Sequence, residues 1–416
     1  METLDRVDLR TPKAASREPA LPPRLLSRIE TEFTPRLNHE WGGKFVMHGR
    51  APGADAVRLD GNDYLGLVGH PEVVQAQLNA LRRDQTFVVQ SSVFHLDGNP
   101  ASQLEKALSS WVGKEGALLG QSGYMVNMGL LQVVADPHTP VYLDSLAHMS
   151  LWEGARAAGA PAHCVRHNDP DHLAKMIQRH GPGLVVVDSV YSTTGAVCPL
   201  LEVVDVAEAG ESMILVDESH SLGTHGPLGA GLCAELGLTE RVHFISASLA
   251  KAFAGRAGFC TIPDALRPYF MSHSFPSIFS SCLLPHEIAG LHATLEVIKR
   301  ANDARVKLER NTRRVRKALS DLGYPIHQGT EQIISLEAGA EKDNLVLRDA
   351  LEERGVFGAV FCAPATSRNR AMVRLTLSAA LTDAEMNHLI TVAAEVAPIV
   401  KPWDWPIARR QRGRPE

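Results

Sequence analysis

The sequence predicts an α/β fold with a mostly parallel central sheet, followed by a smaller C-terminal α+β domain. Between about residues 70 and 262, short apolar runs of strand type alternate with helix-like stretches, an order typical of parallel sheets. Several of these runs are apolar at every position, as strands covered on both faces require. At 416 residues the chain exceeds one ordinary domain, which favours a large domain and a small one.

In the first half of the chain, strands and helices are predicted in alternation. The predicted strands are Ala117–Leu119, Val141–Leu143, Leu184–Val187, Ile214–Val216 and Phe244–Ser246. The predicted helices are Pro71–Leu81, Ala101–Val112, Asp171–Arg179 and Leu200–Glu208. Gly113 and Gly181 follow two of these helices, in the position where glycine commonly ends a helix.

The second half begins with a long helical pattern. Pro285–Leu322 is rich in Arg, Glu and Leu at helical spacing and predicts one long connecting helix. Strand, helix, strand and helix signals follow it at Gln332–Leu336, Asp343–Glu353, Met372–Leu377 and Asp383–Val396. We therefore predict four parts: a Pro- and Arg-rich arm (1–58), a large domain (59–290), a small domain (291–400) and a tail (401–416).

Composition excludes several classes of function. The formal net charge is −5 and no long Lys/Arg run occurs, so nucleic acid is not an expected partner. The six cysteines are scattered without a Cys-x-x-Cys pair; this argues against a metal site or a disulfide framework and favours a reducing cytoplasm. Neither a signal-peptide core nor an apolar run of membrane-spanning length is present.

Chemically active residues follow the predicted strands directly. Asp217 follows Ile214–Val216, Asp188 follows Leu184–Val187, and His148 and Lys251 come shortly after two further strands. In open α/β sheets, ligands bind at the carboxyl ends of the strands. The sequence therefore predicts that two Asp, one His and one Lys meet at one edge of the sheet.

Lys251 and Asp217 are the two most informative of these residues. Lys251 stands in a segment (247–255) with no other charge, and a partly desolvated lysine has a lowered pKa and a nucleophilic amine. The competing interpretation is a lysine that reaches the surface. Asp217 could hold the ring nitrogen of pyridoxal phosphate (PLP) protonated, cap a loop, or belong to an NTPase. The NTPase is discarded because no phosphate-binding Gly-x-x-x-x-Gly-Lys-[Ser/Thr] loop occurs.

Three further features have both a functional and a structural interpretation. Gln121–Tyr124 opens a predicted helix, whose first N–H groups suit a phosphate, although Ser-Gly turns are common. His148 could stack on a ring or be structural. The glycine series after Asp217 is interpreted as a tight-turn loop rather than a phosphate cradle, because no clear helix start follows it; its members are Gly223, Gly226, Gly229 and Gly231.

Taken in order, the motifs Asn62–Gly66, Ser122–Tyr124, Asp217–His220 and Ser248–Ala252 resemble those of the α-oxoamine synthases. These are fold-type I PLP enzymes with the aspartate aminotransferase-like fold. The resemblance runs from about residue 58 to 397. Within the family it is closest to the CqsA-type autoinducer synthases of bacterial quorum sensing, on the segments 147–154, 187–193, 217–227, 355–358 and 364–367.

The resemblance implies a role for each site residue. Lys251 would form the Schiff base with PLP and move the substrate Cα proton, Asp217 would pair with the ring nitrogen, His220 with the ring hydroxyl, and His148 would stack on the ring. Further residues implied to bind the cofactor are Ser122, Gly123, Tyr124, Asp188, Ser192 and Ser248, with Ser280 and Ser281 reaching it from a neighbouring subunit of a homodimer. Those implied for the substrate are Arg374, which would hold its carboxylate, and Asn62.

The implied reaction is a decarboxylating condensation of an acyl-CoA with a small amino acid or S-adenosylmethionine, giving an α-aminoketone autoinducer or its precursor. Asp188 stands where many members have Glu, the segment 91–105 lacks the usual Gly-rich, Arg-containing pattern, and Leu381 stands where a His-Thr pair is common. These departures disfavour the biotin, haem and sphingolipid pathway members. Two alternatives stay open: an aminotransferase, and a catalytically silent binding protein on the same fold.

Overall fold

The computed structural model describes residues 19–412 apart from 48, 84–86, 95–96 and 327–328. Within this part, the strands form a seven-stranded sheet and a four-stranded sheet. The strands are β1 Val57–Leu59, β2 Gly116–Gly120, β3 Val141–Asp144, β4 Ala162–Val165, β5 Leu184–Asp188, β6 Met213–Asp217, β7 Phe244–Ser248, β8 Gly258–Ile262, β9 Ile333–Gly339, β10 Val356–Phe361 and β11 Ala371–Thr376. Residues 1–18 of the predicted arm and 413–416 of the predicted tail lie outside the described residues.

The seven-stranded sheet has the order β2-β8-β7-β6-β5-β3-β4. The pairs β3–β4, β3–β5, β5–β6 and β6–β7 are parallel, and β8 runs antiparallel to both of its neighbours. The predicted mostly parallel sheet is therefore confirmed. All five residues of β5 are buried, because helices cover both faces, and each large aliphatic side chain buried in this way contributes about 1.5–3 kcal/mol.

Fifteen α-helices are present in the described residues: α1 Pro23–Arg28, α2 Pro71–Arg83, α3 Pro100–Trp111, α4 Gly123–Val134, α5 Met149–Ala157, α6 Pro170–His180, α7 Leu200–Ala209, α8 Leu232–Glu235, α9 Arg267–His273, α10 Phe275–Phe279, α11 Pro285–Arg300, α12 Asn302–Asp321, α13 Glu341–Glu352, α14 Asp383–Val400 and α15 Pro406–Arg412. The four helices predicted in the first half correspond to α2, α3, α6 and α7 within two residues at each end. None of the fifteen combines the length and apolar character needed to cross a bilayer.

The single long helix predicted over Pro285–Leu322 was wrong. The chain leaves helical geometry at Ala301 (φ −82°, ψ 35°), which separates α11 from α12. α11 packs against α2, whereas α12 packs against α14. The break therefore lets each helix pack against its own partner. Helical periodicity alone does not predict where such a break occurs.

The four-stranded sheet has the order β1-β10-β11-β9. Its edge strand β1 pairs in parallel with β10, through Val57 and Val356 among others. Trp41 and Val46, from the predicted arm, form a small apolar cluster with Leu345 of α13. The predicted boundary at residue 58 thus falls inside β1, and residues before it pack on the C-terminal part of the chain. The division into domains otherwise stays a prediction.

The glycine series after Asp217 forms a loop, as predicted. All four glycines have positive φ, between 75° and 102°. The prediction that no clear helix start follows these glycines was wrong, because α8 begins directly after Gly231. Its first N–H groups are already occupied: Leu232 N and Cys233 N each donate to the Glu218 carboxylate at 2.7 Å. The N–H groups that a phosphate would need are therefore already bonded to the Glu218 side chain.

Candidate active site

A cavity of about 640 Å³ lies at the carboxyl ends of β5, β6 and β7. Residues of β10, β11 and the segment 364–367 close its other side. The register pairs Asp188 with Asp217 on neighbouring strands, so both carboxylates arrive at the same edge. The predicted site residues that line the cavity are Asn62, Ser122, Gly123, Tyr124, His148, Asp188, Ser192, Asp217, His220, Ser248, Lys251 and Arg374.

Lys251 lies in the turn after β7 and is partly buried. Burial lowers the pKa of Lys251, the charge of Arg374 lowers it further, and Asp217 opposes both. In the described part of the chain, no ion pair holds its ammonium group. A smaller fraction of this amine is protonated at neutral pH than of an ordinary lysine, which makes it a better nucleophile.

Asp217 ends β6 and is only 3% exposed. Its Oδ1 accepts a hydrogen bond from Ser219 N at 2.9 Å, and its Oδ2 accepts one from the Asn127 amide at 2.8 Å. No lysine or arginine among the described residues forms an ion pair with it. A buried carboxylate with only neutral donors is costly, and a protonated ring nitrogen in the cavity would compensate it.

Asn127 was missed by the sequence analysis. It lies on α4, four residues after Gly123, so both face the cavity from successive turns. Its Nδ2 also lies 2.9 Å from Ser150 Oγ, which in turn lies 2.8 Å from His148 Nδ1. A chain of hydrogen bonds therefore joins Asp217 to His148. The i,i+4 spacing from the predicted helix start was the available signal.

His148 caps the start of α5, and its backbone N–H donates to Asp188 Oδ2 at 3.0 Å. His148 is exposed and lines the cavity; desolvation by the surrounding protein lowers its pKa, Asp217 opposes this effect, and Lys251 adds to it. Burial and Asp217 raise the pKa of Asp188 well above its usual value. The imidazole is thus favoured in its neutral form, which suits stacking on a ring.

His220 faces the cavity from the turn after β6. Tyr64 OH lies 2.5 Å from its Nδ1, and both residues are almost fully buried. Burial lowers the pKa of His220 far below its usual value, and Lys251, Arg374 and His148 act in the same direction. Tyr64 belongs to the motif Asn62–Gly66, but its contact with His220 was not predicted.

The start of α4 faces the same cavity. Ser122 Oγ caps the helix by accepting from Met125 N at 3.2 Å, and Ser122, Gly123 and Tyr124 all line the cavity. The first N–H groups of a helix lack partners within the helix. A Cβ on Gly123 would lie 2.7 Å from the Ser248 Cβ, so only glycine allows the helix start to approach β7 this closely. This end of the cavity suits a phosphate.

Arg374 of β11 brings a buried cation to the opposite side. Its Nη1 donates to Ser192 O at 2.8 Å and its Nη2 to Asn62 Oδ1 at 3.0 Å, while its Nε has no partner among the described residues. Burial lowers the pKa of Arg374. The ring of Phe361 lies 4.7 Å below the guanidinium. A carboxylate in the cavity would satisfy both its charge and its free donor.

Comparison with known proteins identifies the family. Residues 54–392 match the family model "Aminotransferase class I and II". The chain belongs to this family. A CAI-1 autoinducer synthase of Vibrio campbellii is 44% identical over 375 residues, which cover 90% of this chain and 95% of the relative. An 8-amino-7-oxononanoate synthase of Anaeromyxobacter dehalogenans is 32% identical over 355 residues, covering 85% and 89%.

Solved structures agree with the sequence relatives. A serine palmitoyltransferase of Sphingomonas wittichii superposes with a TM-score of 0.84 at 25% identity, covering 91% of this chain and 99% of that one. The fold-type I architecture and the resemblance to α-oxoamine synthases, both predicted from the sequence, are confirmed.

Ser280 and Ser281 are the predicted site residues that this family member does not place in its own cavity. They line a separate narrow slot beside Gln121, whose side-chain amide donates to the Ser281 carbonyl. Ser280 Oγ donates to Pro276 O at 2.5 Å. Their predicted role, reaching the phosphate of a neighbouring subunit, stays a prediction.

Proposed function

We propose that this enzyme condenses an acyl-CoA with a small amino acid or S-adenosylmethionine, with loss of CO₂, and so makes an α-aminoketone autoinducer or its precursor. The predicted class, a PLP-dependent acyltransferase of the α-oxoamine synthase type, is confirmed by relatives named as autoinducer, oxononanoate and palmitoyl synthases or transferases and by a relative solved with PLP. The observation that carries the proposal is the convergence of Lys251, Asp217 and Arg374 on one cavity.

The cavity fits PLP on its own chemistry. Among the described residues, neither the Lys251 amine nor the buried Asp217 carboxylate forms an ion pair, and the start of α4 offers a set of N–H donors. Ser122, Gly123, Tyr124 and Ser248 would hold the phosphate end. When bound there, PLP supplies an electron-withdrawing ring that stabilises negative charge on the substrate Cα.

The protein's residues then have distinct tasks. The Arg374 guanidinium would bind the substrate carboxylate, with Asn62 and the Ser192 carbonyl holding the guanidinium in place. The Lys251 amine would take the proton from Cα, because its lowered pKa leaves it able to accept one. Asp217 would keep the ring nitrogen protonated, and neutral His148 would pack against the ring.

The overall reaction balances with one proton taken from water. The Cα–H bond breaks, a bond forms between the substrate Cα and the acyl carbonyl carbon, and the carbon–sulfur bond of the thioester breaks, so that CoA leaves as its thiol with a proton equivalent to the one lost from Cα. The bond from Cα to the carboxylate carbon then breaks and releases CO₂, and a proton takes its place on Cα. The product is an aminoketone.

The assay that tests this proposal uses purified enzyme with PLP and a panel of acyl-CoAs and amino donors. We expect CoA release, CO₂ release and a product mass equal to the condensed, decarboxylated pair. Transfer of the amino group to a keto acid without CoA release would establish the aminotransferase instead. Protein that takes up no PLP and shows no visible absorbance would support a silent binding protein.

We also propose a homodimer in which Ser280 or Ser281 reaches the neighbouring cofactor phosphate. Exposed apolar side chains next to these serines support it: Phe279 is 77% exposed, Phe94 66% and Phe275 58%. A contiguous patch of this kind is unusual on a monomer. Phe279→Glu should shift the mass measured by light scattering to that of one chain, with loss of activity; an unchanged mass would contradict this interface.

The cytoplasm is the proposed compartment. All six cysteines are free, and Cys198, Cys233, Cys260 and Cys362 are buried. Such a set is typical of a reducing environment, which is also where acyl-CoA substrates would be met.

A further inference from the structure

Tyr64 and His220 form a buried hydrogen bond directly behind the cavity. The phenol oxygen lies 2.5 Å from Nδ1 of the imidazole, and the two side chains are 0% and 4% exposed. The opposite nitrogen, Nε2, has no hydrogen-bond partner among the described residues, and His220 lines the cavity. The imidazole therefore has one nitrogen bound by the protein and the other free for a ligand.

The position of the protons follows from counting acceptors. Burial raises the pKa of Tyr64, so the phenol keeps its proton, and that proton needs an acceptor in a buried site. In the part of the chain that the structure describes, His220 Nδ1 is the one hydrogen-bond partner of this hydroxyl. Nδ1 must then be unprotonated, and neutral His220 carries its proton on Nε2.

We propose that Tyr64 is a positioning residue that fixes His220 in the Nε2–H tautomer, so that the cavity presents an N–H donor at this point. The proposal rests on the proposed function, in which the ring hydroxyl oxygen of PLP lies beside His220. Without Tyr64, neutral His220 could place its proton on Nδ1 and turn a lone pair toward that oxygen, which repels it.

The surroundings of His220 leave few other means of setting its protonation. The charged and titratable groups acting on it are Lys251, Arg374 and His148, all of which disfavour the imidazolium. None of the three forms a hydrogen bond to its ring. The Gln332 side chain holds the His220 carbonyl at 3.0 Å, which fixes the backbone but not the tautomer. Tyr64 is thus the group that distinguishes Nδ1 from Nε2.

The backbone also fixes Tyr64 in place. Its carbonyl accepts from Ala379 N at 2.8 Å, and Ser378 Oγ donates to the Asp63 carbonyl at 2.6 Å. Asn62, two residues earlier, holds Arg374. One short turn therefore orients the donor for the cofactor and the arginine for the substrate.

The test compares Tyr64→Phe with Tyr324→Phe in the PLP-loaded enzyme. Tyr324 is a matched control, because it is 1% exposed, its hydroxyl donates to Ala393 O at 2.8 Å, and neither residue lines the cavity. An N–H donor stabilises negative charge on the ring oxygen and therefore lowers the affinity of this oxygen for a proton. In Tyr64→Phe we expect the pH midpoint of the visible cofactor absorbance to rise by about one unit.

Kinetics give a second readout. Tyr64→Phe should lower kcat about tenfold while KM for the amino substrate changes less than about twofold, because Arg374 is untouched. Tyr324→Phe should titrate and turn over as the unmodified enzyme does. If Tyr64→Phe binds PLP with an unshifted midpoint, the tautomer proposal is overturned while the proposed function stands.

A measurement on the unmodified protein decides the question even if Tyr64→Phe does not fold. In protein labelled with ¹⁵N-histidine, the His220 signals can be assigned by their loss in His220→Gln. We expect Nε2 to resonate as a protonated nitrogen and Nδ1 as an unprotonated one. The reverse pattern would overturn the proposal, and this spectrum tests it whether or not the protein takes up PLP.

Discussion

The Asn127 amide donates to Asp217 Oδ2 at 2.8 Å, and the same amide nitrogen contacts Ser150. This contact fixes the carboxylate that faces the cavity, since the other oxygen is already held by Ser219 N. Asp217 is thereby held in one orientation by two neutral donors. Because neither donor brings a full charge, its negative charge stays available to a positively charged ligand.

Replacing Asn127 should therefore weaken the site without emptying it. A hydrogen bond to a charged group is worth about 1.5–3 kcal/mol, so Asn127→Ala should lower kcat/KM about 10- to 100-fold while PLP still binds. Steady-state kinetics and bound-cofactor absorbance check this. Asn311→Ala removes another fully buried amide, on α12 and outside the cavity lining, and should alter stability but not the spectrum. Equal activity in both variants would refute the role of Asn127.

Lys251→Ala should abolish the absorbance of the Schiff base between the enzyme and PLP together with turnover, because the amine that attaches the cofactor and accepts the Cα proton is removed. Lys114→Ala is the control: burial also lowers the pKa of Lys114, but its amine donates to the Val242 carbonyl outside the cavity. This variant should keep its colour. A coloured and active Lys251→Ala enzyme would disprove the assignment.

Arg374→Lys should separate the two substrates. The lysine ammonium keeps the charge but cannot reproduce the fork that bonds Ser192 O and Asn62 Oδ1 while leaving Nε free. We expect KM for the amino substrate to rise by about tenfold or more, with KM for the acyl-CoA nearly unchanged. Initial rates measured with each substrate varied in turn test this. A rise confined to KM for the acyl-CoA would contradict the assignment of Arg374 to the amino substrate.

His225 and Glu331 link the glycine loop to the segment before β9, with Nε2 and Oε2 3.1 Å apart. Burial lowers the pKa of His225, but the Glu331 carboxylate outweighs it and the net shift is upward. Burial raises the pKa of Glu331, but the hydrogen bond and charge of His225 act against it and the net shift is downward. Because the histidine pKa is raised on folding, His225 adds stability at pH values below its unfolded pKa of about 6.5, and this stability is lost as pH rises through the folded pKa. Because the glutamate pKa is lowered on folding, Glu331 adds stability above its unfolded pKa, and this stability is lost as pH falls.

The pair should therefore stabilise the fold most between about pH 5 and 6.5. His225→Asn should cost about 1–3 kcal/mol at pH 6 and less at pH 9, seen as a larger fall in Tm at the lower pH. Glu331→Gln should show the same dependence, and the double variant should add little to either. Losses that do not vary with pH would contradict a charged pair.

The strand-end rule predicted most of the residues that line the candidate site. Asp217, Asp188 and Lys251 follow apolar runs, and in a parallel sheet such positions meet at one edge, as the cavity lining confirms. Contacts between residues far apart in the sequence could not be predicted in this way. Asn127 with Asp217, and Tyr64 with His220, are separated by 90 and 156 residues, and no local pattern encodes which side chains meet at such separations.

The edges of the fold were equally hard to predict. β1 has three residues and β4 is partly exposed, so neither shows the continuous apolar run that marked the central strands. The break at Ala301 arises because α11 and α12 cover different layers.

By itself, the sequence determined the α/β class, the buried strands and the identity of the groups that we propose carry the chemistry, because hydrophobic periodicity and residue type are local properties. The tertiary structure alone decided how those groups are oriented and protonated. Which nitrogen of His220 carries a proton, and how far Lys251 and Asp188 are shifted from their usual pKa, depend on burial and on neighbours brought together only by folding.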